Sequence, residues 1–249
     1  MSGPLLFARY AFPPNRLGYC GGDDPRALLE QTAGGVDDAD LRRSLRAFEG
    51  AWPYLELIAA ANARADPLDA DVVEAYWIGN HLLDRVTPRD LATSIETRFR
   101  GRVSNPAWSS LVDVATTGAV PHHSFHVFGV YPFVGLLREG TVDQPLQVLD
   151  RCRIRWGRVV AVDGDTAIVR SRHLSWDGHR LRLGFPDLES AVLGDGTLQL
   201  SRPLHPGDWC ALHWDWVCDR ITGSQLAALQ RYTALQLAAV NDAPARVLA

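Results

Sequence analysis

Three histidines crowd into one apolar run, PHHSFHVFGVYPFVGLL over residues 121–137: His122, His123 and His126. Imidazole titrates nearest to neutral pH and is the commonest metal ligand, so this cluster is a candidate metal, haem or proton-transfer site. On a helix His122 and His126 share a face, the geometry for chelating one metal. On a strand His122, Ser124 and His126 align while His123 points away. Either conformation brings two imidazoles together. Phe125, Phe128, Tyr131 and Phe133 make the surroundings apolar. Histidines buried there need polar partners, and a metal would be one. The bland alternative is a set of structural histidines held by backbone and aromatic neighbours.

Sulfur is the second candidate chemistry. Cys20, Cys152, Cys210 and Cys218 form no regular framework in a chain of 249 residues, so they read as reduced thiols rather than disulfides. Cys20 closes FARYAFPPNRLGYCGG and is either a packed small hydrophobe or an exposed thiol. Cys210, His213 and Cys218 share WCALHWDWVCDRI, but on a regular strand Cys210 and His213 face opposite sides. Joint ligation there requires a bulge, and Trp209, Trp214 and Trp216 favour a core or interface. Cys152 opens RCRIRWGRVVAVDGDTAIV, residues 151–169, at the entrance of a β unit. Phosphate-cradling loops, dinucleotide fingerprints and nucleophile elbows are missing from the sequence.

The elements that must position these groups change character near residue 150. Residues 1–24 read as an aromatic-rich arm, because Pro13-Pro14 and Gly21-Gly22 break any continuous helix. From 25 to about 117 the apolar period is helical. Leu41, Leu45, Phe48, Trp52 and Leu55 make one face, with Asp37 as N-cap and a kink at Pro53. Asp66-Pro67 and Thr87-Pro88 start further helices, and Asn105-Pro106 starts a short one. Beyond 150 the period becomes two. Asp163-Gly164, Asp177-Gly178 and Gly194-Asp195-Gly196 mark turns, and Leu198 and Leu200 lie in a further strand. Thr222-Gly223-Ser224-Gln225 is a capping box that opens a final helix, which packs on the barrel or crosses back to the first half. The expected class is α+β: an α-helical domain over 1–150, then a small β-barrel with a C-terminal helix over 151–249.

A net charge of −4 with 22% charged residues gives no basic footprint for nucleic acid, although local arginine patches remain compatible with it. No apolar run approaches a membrane span of ~20 residues, and the N-terminus lacks the features of an export signal. The expected location is cytoplasmic.

The second half resembles a known family. Cys152 followed by an apolar strand with an Asp-Gly turn, then Pro206-Gly207-Asp208-Trp209 leading into ALHWDWVCDRIT and a closing helix, is similar to the HypC-type [NiFe]-hydrogenase maturation chaperones. The resemblance covers roughly 151–240 and implies an OB-like barrel. It also implies that Cys152 would hold a transient iron fragment and contact the hydrogenase large subunit or maturation proteins. Within that resemblance Arg151 and Arg153 would lower the Cys152 pKa. The N-terminal half looks like an uncharacterised bacterial family. The resulting expectation is an accessory or assembly protein for a [NiFe] hydrogenase rather than an enzyme. The alternatives are a protein holding iron, another transition metal or haem through His122, His123 and His126, with Cys20 or Cys152 as a further ligand, and an uncharacterised enzyme.

Overall fold

The computed structural model describes residues 1–99, 119–194 and 202–242. The helix expected from Asn105-Pro106 and the turn and strand expected over 195–200 lie outside these residues.

The opening arm is a helix. α1 (Gly3–Arg16) runs through Pro13 and Pro14, which occupy its last turn. A proline inside a helix costs about 3 kcal/mol. Here Phe7, Tyr10 and Phe12 are buried, and each fully buried aromatic contributes about 1.5–3 kcal/mol, enough to override the local rule. Two further expectations are corrected in detail. The face from Leu41 to Leu55 belongs to two helices, α3 (Ala39–Arg46) and α4 (Trp52–Ala61), which follow α2 (Pro25–Ala33). Asp38 rather than Asp37 caps α3, and Pro53 sits in the first turn of α4, where its missing N–H costs nothing.

α5 (Ala70–Trp77) is capped by Asp69, and a 3-10 turn, His81–Arg85, precedes α6 (Pro88–Phe99). Thr87 and Asp90 exchange hydrogen bonds at the start of α6, as their spacing predicts. The histidine run forms α7 (His123–Phe125), which passes into a π turn, His126–Val130. α8 (Phe133–Arg138) and α9 (Asp143–Cys152) follow.

The β half closes on itself: β1 (Arg155–Asp163), β2 (Thr166–Trp176), β3 (Leu181–Val192), β4 (Trp209–His213) and β5 (Trp216–Ile221) form a barrel in the order β1-β2-β3-β5-β4. Gly164 and Gly178, both at positive φ, make the turns between β1, β2 and β3 where the Asp-Gly pairs predict them. α10 (Gly223–Asp242) starts at the Thr222–Gln225 box and touches both halves. Gln225 bonds Glu74 on α5, and Asn241 bonds the Leu181 backbone on β3. One apolar cluster runs from Phe7, Tyr10, Tyr54 and Trp77 into Ile154, Trp156, Ala211 and Trp216. The helices and the barrel are therefore fused by packing across the expected boundary at 150, which itself falls inside α9. Among the described residues no helix is long and apolar enough to cross a membrane.

Candidate metal centre

Three side chains from three distant segments converge in this shared core. His123 begins α7, Cys152 ends α9 and His213 ends β4. One ligand atom from each lies within 4.8 Å of the others, and all three residues are buried. Tetrahedral zinc holds such atoms about 3.3–3.8 Å apart, given bonds of about 2.0–2.3 Å, so closure needs a shift of about 1 Å.

Each ring is oriented by a second partner. His213 Nδ1 donates to the Tyr10 carbonyl at 2.6 Å. That carbonyl would bond the N–H of residue 14 in a regular helix, but Pro14 has none, so it is left for the imidazole. With the proton on Nδ1, Nε2 is a bare lone pair, and it has no hydrogen-bond partner although the ring is 0% exposed. His123 Nε2 donates to the Cys152 carbonyl at 2.8 Å, while the Tyr76 hydroxyl faces Nδ1 at 3.1 Å. Partners of this kind fix tautomer and orientation in metal sites. The β4–β5 register shifts between Ala211 and Leu212, beside His213, and Trp214 holds φ 55 next to it. A bulge and a positive-φ residue re-aim the end of the strand. Trp214 is pinned there by its N–H to the Arg151 carbonyl and by Arg155 on its own carbonyl.

The electrostatics suit neutral ligands. Burial pushes His123 down to about 4, and burial with the neighbouring His123 holds His213 well below its ordinary value. Both rings are therefore uncharged at neutral pH; the Nε2 lone pair of His213 is free, while the Nδ1 lone pair of His123 faces the Tyr76 hydroxyl, which would have to turn away for an ion to take its place. Burial raises the Cys152 thiol strongly, so the proton stays on sulfur unless a cation displaces it. The expected lowering by adjacent arginines is thus corrected. Arg153 turns to Asp150 at 2.9 Å, and Arg151 lies 3.8 Å from Glu189.

Of the residues singled out in the sequence, the structure brings together His123 and Cys152. Cys152 sits at a helix end, 4% exposed, rather than at the open mouth of a strand. His122 and His126 do not share a helical face, because His122 is the extended cap residue ahead of α7. Its Nδ1 accepts the Ser124 N–H, and its ring stacks on Tyr232 of α10. Burial and the neighbouring His123 hold it down to about 3. His126 faces Tyr54 and Tyr131. It borders a separate cavity of about 770 Å³ with Cys20, whose thiol burial raises to about 12. His213 is the member of this group that the sequence analysis weighed only against other partners. Its own segment paired it with Cys210 and Cys218, but Cys210 turns to the Gly157 carbonyl. The available signal was Pro14, which frees a carbonyl 203 residues away.

A buried charge network braces the site from the barrel side. Asp150 accepts from Arg153, faces His173 Nδ1 at 2.6 Å and accepts the Leu174 N–H at 2.8 Å. Burial acts to raise this carboxyl, but these bonds and the nearby Arg155 charge outweigh it and hold the group below the usual carboxylate range. Arg155 reaches Glu189 at 2.8 Å inside the barrel and bonds the Asp150 and Trp214 carbonyls. The residues flanking Cys152 are thereby fixed on both strands and helix.

No curated protein and no solved structure matches the chain. A family of unknown function, DUF6390, matches residues 1–247, and the chain belongs to that family.

Proposed function

We propose that this is a metal-binding protein whose resident ion is held by His123, Cys152 and His213. The observation that carries the reading is His213 Nε2: a buried lone pair without a hydrogen-bond partner, grouped with two other ligand atoms. An unsatisfied buried acceptor costs about 1–3 kcal/mol, and a cation removes that cost. Two imidazoles and a thiolate suit zinc, copper or iron rather than calcium or magnesium, which prefer oxygen. The enclosure by Tyr10, Tyr76 and Trp77 favours a structural role, since catalytic centres keep an open position. The metal would tie α7 and α9 to β4.

Cobalt substitution tests this. The full chain, reduced and stripped with chelator, should take up one equivalent of Co(II) and develop a thiolate-to-metal absorption band. Cys152→Ser should lose the band, and His213→Gln should weaken binding. A wild-type chain that takes up neither cobalt nor zinc while folding normally would refute the reading.

The hydrogenase-accessory reading uses the same cysteine for a transient iron cargo on an OB-like barrel in the cytoplasm, with a hydrogenase subunit or maturation factor as partner. It draws support from the closed barrel that follows Cys152. It requires a thiol that a partner can reach, and a sulfur buried at the end of α9 favours a resident ion instead. Pull-down with hydrogenase large subunit, lost in Cys152→Ala, would separate the two readings.

A further inference from the structure

On the outside of the barrel, β1 and β2 place two arginines directly opposite each other: Arg158 pairs with Arg170 in the antiparallel register. Directly opposed residues have Cα atoms about 4.5–5.5 Å apart, and like charges so placed destabilise a sheet. Arg172 lies two residues beyond Arg170 and therefore on the same face. On the other side of Arg158 its register partner is Trp209 of β4, with the guanidinium 5.7 Å from the indole centroid. These groups, with Trp156 from β1 and Gln230 from α10, line one cavity of about 560 Å³. That volume lies within the range of small-molecule sites.

The charge in this cavity is unbalanced. Arg158, Arg170 and Arg172 are exposed, and among the described residues none of them forms an ion pair. Among the described residues no carboxylate lines the cavity. Acids on the neighbouring strands are engaged elsewhere: Glu189 with Arg155, Asp208 with Arg220, and Asp187, across from Ser171, with the Leu188 N–H. Three guanidiniums without a counter-charge, that of Arg172 steadied by its Nε bond to the Gly184 carbonyl, line one cavity with two indoles on a chain of net charge −4, a local arrangement rather than a general basic surface. Guanidinium forks match phosphate oxygens bidentately, and an anion between Arg158 and Arg170 turns their repulsion into attraction.

We propose that this cavity binds a small phosphate-bearing ligand, with the three arginines on an oligophosphate and the tryptophans beside any flat group attached to it. The Arg220–Asp208 pair, 3.0 Å apart, interrupts the positive charge next to the cavity, which argues against a long polyanion lying across the barrel. The site is independent of the metal centre.

Tryptophan fluorescence and equilibrium dialysis of the full-length protein, with pyrophosphate and ATP as probes, test the assignment. Both probes should bind, and Arg170→Gln should weaken them roughly tenfold to a hundredfold, the worth of a charge-assisted hydrogen bond. Arg180→Gln, at an exposed turn outside the cavity, removes the same charge and should change nothing. Equal binding of pyrophosphate and ATP supports a bare oligophosphate, and binding of ATP alone supports a ligand with a base; both uphold the site. Failure of both probes to bind overturns it, as does binding of neither ATP nor pyrophosphate above the level of the Arg170→Gln variant. So does equal weakening by Arg180→Gln, or a single-stranded oligonucleotide that binds far more tightly than ATP. Circular dichroism of each variant confirms that the fold is retained.

Discussion

The Tyr10 carbonyl accepts a 2.6 Å hydrogen bond from His213 Nδ1, joining the first helix to the end of the fourth strand. The bond exists because Pro14 cannot supply the N–H that would close the helix onto Tyr10. Pro14→Ala restores that donor and sets it in competition with the imidazole. The expected outcome is a metal affinity lower by about 10–100-fold, the usual cost of losing an orienting partner, with helix content retained. Competition against a chromophoric chelator measures it. An unchanged affinity would show that the carbonyl can serve both donors.

Metal removal should lower thermal stability in a concentration-dependent way. A ligand that binds only the folded state adds about 2.7 kcal/mol at a hundredfold excess over its dissociation constant. Adding chelator should therefore lower the Tm, and stoichiometric zinc should restore it. Cys152→Ser should show neither response.

Much of the barrel was readable from local signals, and the metal centre was not. Asp163-Gly164 and Asp177-Gly178 announced their turns because a positive φ at glycine is a property of two adjacent residues. The Thr222–Gln225 box did so for the same reason. α1 was misread because the Pro13-Pro14 rule is local, whereas the burial of Phe7 and Tyr10 that overrides it is not. His123 and Cys152 were marked by residue type. Nothing near His213 in sequence could show that its partners stand on helices beginning at residues 3, 123 and 143. The shared face of His122 and His126 failed for a smaller reason: the helix begins one residue too late for His122 to join it.

Acid should destabilise the metal-free protein well before ordinary carboxylates titrate. His122 and His123 have folded values of about 3 and about 4, and His213 is also depressed, so the unfolded chain binds more protons below about pH 6.5. Stability therefore falls as pH drops through and below that point, each histidine adding to the slope as its unfolded form takes up a proton the folded form does not. Asp150 acts in the same direction at lower pH. Its depressed folded value contributes stability above about pH 4 that is lost as pH falls through the folded value. Urea midpoints measured between neutral pH and about pH 5 check the histidine part. A flat profile over that interval would contradict it.

Asp150→Asn leaves Arg153 buried without its counter-charge and should cost about 3–5 kcal/mol in chemical denaturation. Adding Arg153→Met should recover part of that loss, since an apolar side chain needs no partner. If the double variant were as unstable as the single one, the cost would lie in the His173 and Leu174 contacts instead.

Gly79 ends α5 at φ 96, and a Cβ there would overlap the Tyr232 ring of α10. Gly79→Ala should destabilise by about 1–3 kcal/mol from backbone strain and by a similar amount from overpacking. The Tyr232 contact with His122 should loosen with it, which the ring resonances of His122 would report.

The bond between Tyr10 and His213 also sets an order of events during synthesis. The first helix emerges from the ribosome roughly 10–40 s before the strand that carries its imidazole partner, at typical elongation rates. Through that interval Phe7 and Tyr10 can meet Phe48 and Trp77 of the helical half, but Phe12 lacks Trp216, 5.3 Å away in the finished fold. The nascent chain thus carries a helix covered on one side only until the barrel strands are made, and it is at this stage that a holdase would have most to shield.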